Sequence, residues 1–103
     1  MFEIVKNDGA YLLIPEVKSL EAANAAEFKE ALDEVDWNAC STASVDCTNI
    51  EFIDSSGVGA LLHLHHLLGT RARPLKLLHL TPAVLSVVEL LRLNTVFSLD
   101  STQ

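Results

Sequence analysis

The side chains of this 103-residue chain that could do chemistry gather in two places, the run Asp54-Ser55-Ser56-Gly57 and the trio His63, His65 and His66. Serines near histidines raise nucleophilic hydrolysis. The stretch is not a G-x-S-x-G elbow, however, and the face carrying His63 and His66 lies a turn or more beyond the serines. A histidine pair at i, i+3 supplies two ligands to a metal, but no Cys, Asp or Glu close by in sequence completes the set. Neither paired carboxylates nor a glycine-rich phosphate loop stands out. An enzyme, a metal site and a cofactor are therefore not expected. The serines are better explained by where they stand. Asp, Ser and Ser directly ahead of a periodic apolar run are helix-start signals. A hydroxyl there faces unpaired N–H groups and the positive end of the helix dipole, so Ser55 is placed both to cap a helix and to carry a phosphate. Gly57 and Gly59, lacking Cβ, would let another backbone come close.

The elements that must position this stretch follow from the spacing of apolar residues. Phe2–Lys6 alternates at period two, Asn7-Asp8-Gly9 supplies turn chemistry, and Tyr11–Ile14 reads as the return strand of a hairpin that Pro15 ends. Ser19 is positioned to cap a first helix with Glu21 in its first turn, and Ala25, Phe28, Leu32 and Val35 share one face of it. A small-residue loop follows Trp37, and residues 44–47, with Ile50, make a third strand. The second helix runs from Ser56 to Leu68 with Gly69 as its stop. On it His65 falls among Val58, Leu61, Leu62 and Leu68, while His63 and His66 fall on the polar side. Leu75–Leu80, nearly all apolar, suits a strand covered on both faces, with His79 packed in it. Thr81-Pro82 opens a third helix buried through Val84, Leu85, Val87, Val88 and Leu91. Asn94 ends it, and Thr95–Leu99 is a final strand. The order is β-β-α-β-α-β-α-β, a single α/β domain over residues 1–103 with a mixed, mostly parallel sheet and an N-terminal β-hairpin.

Composition narrows the function classes. Fourteen acidic against seven basic residues give a formal charge of −7 and a pI near 4.8, which works against nucleic acid or an anionic membrane as partner. The only close basic pair, Arg71 and Arg73, sits where cations serve a helix C-terminus. No apolar run approaches the roughly 18 residues a membrane span needs, so direct membrane insertion is not expected. The first 20 residues lack the pattern of a signal peptide. Cys40 and Cys47 fit neither a redox pair nor a zinc arrangement, and read as reduced thiols of a cytoplasmic protein.

From Val45 to Leu62, and most specifically around Phe52-Ile53-Asp54-Ser55-Ser56-Gly57-Val58-Gly59, the sequence resembles STAS domains. Within that family it is most similar to bacterial anti-sigma factor antagonists of the sporulation and stress-response kind. The resemblance implies a module without enzymatic activity that binds an anti-sigma factor, itself a serine kinase, while unphosphorylated. Ser55 would be the phosphoacceptor, and a phosphatase would reset it. Asp54, Ser56, Gly57 and Val58 would form the docking face, together with Glu16 and Lys18 of the loop after the hairpin. Lys18 stands where such antagonists commonly carry Asp. Another reading under the same resemblance is a constitutive subunit of a lipid-transport complex, docked through the same helix start on a transporter ATPase.

Overall fold

The computed structural model describes residues 1–99. The hairpin forms as β1 (Phe2–Asn7) and β2 (Ala10–Pro15), paired antiparallel from Phe2 opposite Pro15 to Asn7 opposite Ala10. Asp8 and Gly9, with φ of 52° and 86°, make the two-residue turn. Both central residues at positive φ match the twist of the flanking strands.

Three further strands join β2 in parallel: β4 (Thr42–Asp46), β6 (Lys76–Leu78) and β7 (Ser98–Leu99), in sheet order β1-β2-β4-β6-β7. The crossovers are α1 (Ala25–Asp33), α2 (Ser55–Leu68) and α3 (Pro82–Leu90). Each crossover steps the same way across the sheet, so right-handed connections put all three helices on one face. The burial alternation agrees. Tyr11, Leu13, Ala43, Val45 and Leu77 are buried, whereas Leu12, Ile14, Ser44, Asp46 and Leu78 are half-buried and Lys76 is exposed. Phe28 and Leu32 of α1, Leu61, Leu64 and Leu68 of α2, and Val84 and Val88 of α3 fill the space above the inner face. No helix among the described residues is long and apolar enough to cross a membrane. The expected α/β class and element order are observed, with one addition.

That addition is a second, two-stranded parallel ladder, β3 (Ser19–Leu20) on β5 (Phe52–Ile53). Ser19 is thus a strand residue and not a helix cap. Its hydroxyl donates to the Glu21 carboxylate at 2.6 Å. Asn24 stands before α1, its side chain accepting from Glu21 N–H and donating to Ser19 C=O. The strand expected over 75–80 is only three residues long and covered on one face. Leu75 and Leu80 are buried outside it, which produced the apolar run, and His79 is exposed at φ 56° instead of packed. The third helix stops at Leu90 because Arg92 adopts a left-handed conformation, φ 56°. Leu91 is therefore exposed, Asn94 lies in a 3₁₀ turn (Leu93–Thr95), and β7 begins only at Ser98. Val35 lies beyond α1 and is half-buried, and Leu62 of α2 is exposed.

Cys47 is buried one residue past β4, and Cys40 is buried in the loop before it. Burial pushes the Cys47 thiol up to about 12, with the Asp46 carboxylate adding to the effect. Arg71 holds the Cys40 loop by donating to the carbonyls of Trp37 and Cys40, and Arg73 donates to the His65 carbonyl in the last turn of α2.

The two glycines of α2 have opposite surroundings. A Cβ on Gly57 would lie 2.0 Å from the Leu20 carbonyl oxygen, whereas one on Gly59 would meet nothing within 4 Å. Because the obstacle at Gly57 is backbone, relief requires α2 and β3 to separate. Gly57→Ala is expected to cost about 3 kcal/mol or more, beyond ordinary overpacking. Gly59→Ala should gain about 0.5–1 kcal/mol from helix propensity. Thermal or urea unfolding of the two variants checks both, and similar effects at both positions would contradict the geometry.

Candidate functional site

The site is assembled where β5 turns into α2. Asp54 is extended, φ −116° and ψ −171°, and is the N-cap residue. Its Oδ1 accepts from Gly57 N–H at 3.0 Å, and its Oδ2 accepts from Ala22 N–H at 3.2 Å. Its own N–H donates to the Leu20 carbonyl. One carboxylate thus caps α2 and ties it to the segment leading into α1. The cap expected at Ser55 is therefore supplied by Asp54. A carboxylate reaches the third N–H of the helix and favours the positive dipole end at once. Ser55 becomes the first helical residue, its side chain exposed, with Ser56 half-buried beside it.

Ser55, Ser56 and Gly59 line a groove of about 630 Å³ between α1 and α2, whose far end holds Lys29, Asp33 and His63. His63 Nε2 and Asp33 Oδ1 are 2.7 Å apart, a carboxylate partner thirty residues away in sequence. The pair does not make Ser55 a nucleophile. Eight residues of helix separate Ser55 from His63, roughly 12 Å of rise, so the imidazole cannot receive the hydroxyl proton. No group of three or more potential metal ligands occurs among the described residues.

Glu16 and Lys18 are exposed but lie in a separate recess of about 450 Å³, with Thr48, Asn49 and Glu51. Glu51 N–H donates to the Lys18 carbonyl and the Asn49 amide to that of Pro15, so this loop is fastened to the approach to β5. Gly57 and Val58, expected at the docking face, are buried beneath that surface in the isolated chain. Phe52, which sequence reasoning did not single out, is 52% exposed on β5 just ahead of Asp54. Its signal was available, since Ile53 takes the inward position and alternation turns Phe52 outward.

His65 is half-buried, as its place on the helix wheel indicated. Its ring stands edge-on to Phe97 at 5.8 Å, and its Nδ1 is buried without a partner. Desolvation, then the charges of Arg73 and His66, hold its pKa below the ordinary 6.5.

A family model described as "Mlab, STAS domain" matches residues 18–99. The chain belongs to the STAS domain family. No curated protein matches it by sequence. Among solved structures it is similar to TM1081 of Thermotoga maritima, with a TM-score of 0.84, 21% identity, and 98% of this chain and 87% of that one covered. An anti-sigma factor antagonist from Mycobacterium paratuberculosis gives 0.80 and 21% over 99% and 86% of the two chains. The antagonist SpoIIAA of Bacillus, in its unphosphorylated form, gives 0.64 and 18% over 100% and 90%. At these identities the likeness is one of fold.

Two outcomes follow for stability. Asp54→Ala should cost about 2 kcal/mol, the upper end of the range for losing a cap, because the bond to Ala22 goes with it. Asp54→Asn should recover most of that, as read by urea unfolding. For His65, the unfolded chain takes up a proton before the folded chain does as the pH falls. Its contribution is thus intact above pH 6.5 and is lost as the pH falls through the lower folded-state value. The melting temperature of His65→Gln should decline less than that of the parent between pH 7.5 and 5, and parallel declines would rule this out.

Proposed function

We propose that this STAS domain is an anti-sigma factor antagonist, a non-enzymatic cytoplasmic module whose docking on a kinase-type anti-sigma factor is controlled by phosphorylation of Ser55. The observation that carries the reading is the exposed Ser55 hydroxyl on the first residue of α2, next to a carboxylate already committed to the cap. SpoIIAA, of similar fold, is known in a phosphorylated form as well as an unphosphorylated one. A phosphoryl group on Ser55 would add nearly two negative charges beside Asp54. Because Asp54 holds the local structure through its two hydrogen bonds, the added charge would act on the partner by repulsion and bulk and leave the fold in place. The docking face comprises Asp54, Ser55 and Ser56 with Phe52, extended by Glu16 and Lys18. Phe52 is the large exposed aromatic of this face, the kind of side chain that anchors interfaces. A phosphatase acting on phosphorylated Ser55 completes the cycle.

Binding of a co-encoded kinase-type regulator to the parent, Ser55→Ala, Ser55→Glu and Phe52→Ala, with mass spectrometry of Ser55 after incubation with ATP, tests this. Ser55→Ala should bind within about threefold of the parent, while Ser55→Glu and Phe52→Ala should each lose tenfold or more, about 1.4 kcal/mol. Equal binding by the parent and both Ser55 variants would exclude the phosphorylation control. Stable association with a transporter ATPase, indifferent to Ser55, would instead mark a constitutive docking subunit.

A further inference from the structure

The open face of the sheet has a polar row that the Ser55 region does not use. Ser44, Lys76 and Ser98 are register neighbours on β4, β6 and β7, and all three side chains point away from the helices. With strands spaced about 4.8 Å apart, the row spans roughly 10 Å. Thr42, two residues before Ser44, lies on the same side of β4, and Arg73 lies just ahead of β6. Together with Ser41 these residues line a recess of about 380 Å³ at the amino-terminal ends of the parallel strands. Ser55 follows the carboxyl-terminal end of β4, so the two features occupy opposite ends of the sheet.

We propose that this recess binds a phosphoryl group, that of inorganic phosphate or of a small phosphate monoester. Among the described residues its lining holds two cations, four hydroxyls and no carboxylate, in a chain with twice as many acidic as basic residues; the Ser41 hydroxyl donates to the Gly9 carbonyl, and those of Thr42, Ser44 and Ser98 remain. Among the described residues neither Arg73 nor Lys76 pairs with a carboxylate, the one ion pair there being His63 with Asp33. The nearest outward-facing acid on β4, Asp46, is turned to the Thr48 N–H and hydroxyl. Arg73 Nε donates to the His65 carbonyl at 2.9 Å, which tethers the guanidinium beside the end of α2, and among the described residues its two terminal nitrogens have no hydrogen-bond partner. A guanidinium with both terminal nitrogens free can grip a phosphate oxygen pair, and Lys76, which also lines the recess, adds a point charge. A carboxylate, with two oxygens, would leave several of the hydroxyls unused. A tetrahedral dianion offers enough acceptors for them. The overall charge of −7 repels an anionic bilayer, which favours a soluble ligand over a lipid headgroup as the source.

Titrating the ¹⁵N-labelled full chain with inorganic phosphate and with glycerol 3-phosphate, at constant ionic strength against chloride, reads the site directly. Saturable amide shifts are expected at residues 41–44, 73, 75, 76 and 98, with none from chloride. Lys76→Gln, an exposed change that leaves the rest of the spectrum in place, should weaken binding at least fivefold. The double variant with Arg73→Gln should abolish it. Sedimentation with vesicles of phosphatidic acid in phosphatidylcholine distinguishes the source. Binding that free phosphate competes away assigns a headgroup, and no binding assigns a soluble ester. Shifts that do not saturate, that centre on residues 54–59, or that persist in the double variant overturn the proposal.

Discussion

The backbone of α2 meets the backbone of β3 at Gly57 with no room for a methyl group, and the Asp54 carboxylate locks that meeting from both sides. Everything at the candidate site inherits its position from this junction. β3 pairs with β5, β5 delivers Asp54, and Asp54 fixes the first turn of α2. A small two-stranded ladder would be marginal by itself. Here it is held by a glycine that permits the approach and by a carboxylate that bonds across it. Ser55 is consequently presented on a rigid element while its own side chain remains uncommitted. That combination suits a residue whose modification is to be read by another protein and not by the fold itself.

Covering the sheet on one side only shapes the rest of the surface. The three helices and the inner face supply the core, in which Phe28, Leu61 and Leu77 are fully buried. The outer face stays half-open, apolar toward the hairpin at Val5, Leu12 and Ile14 and polar toward β6 and β7. Strands with one solvated face are usual for antiparallel sheets and unusual for parallel ones. The four parallel strands here thus display side chains on a surface that crossover folds normally hide.

Much of this was legible in the sequence, and the reasons are local. Asp8-Gly9, Gly69 and Pro82 each carry their turn, stop or start chemistry within a few residues, and the structure uses all three, while the Thr81 hydroxyl donates to the Ile50 carbonyl and makes no side-chain cap. The amphipathic spacing of Phe28 and Leu32 located α1, and Asp54-Ser55-Ser56 located the start of α2. What was missed depends on contacts distant in sequence. Two-residue strands have no period, so β3 and β5 were invisible and Ser19 looked like a cap. Leu75 and Leu80 lengthened an apparent strand because burial outside a strand reads the same as burial within one. Which side of the site faces outward was likewise tertiary, with Gly57 and Val58 turned in and Phe52 turned out. The Asp33–His63 pair joins two helices across thirty residues, beyond the reach of any spacing rule.

Gly59 places folding and recognition in opposition. In the middle of α2, with open space where its side chain would be, it gives away helix stability that any alanine would restore. It also leaves main chain bare on the wall of the groove beside Ser55. Any partner lodging there would be selected by the shape of an absence, since it would have to be bulky enough to fill the space and close enough to touch the helix backbone. Replacing this glycine would make a sturdier protein with a shallower groove, so stability and the depth of that surface pull in opposite directions.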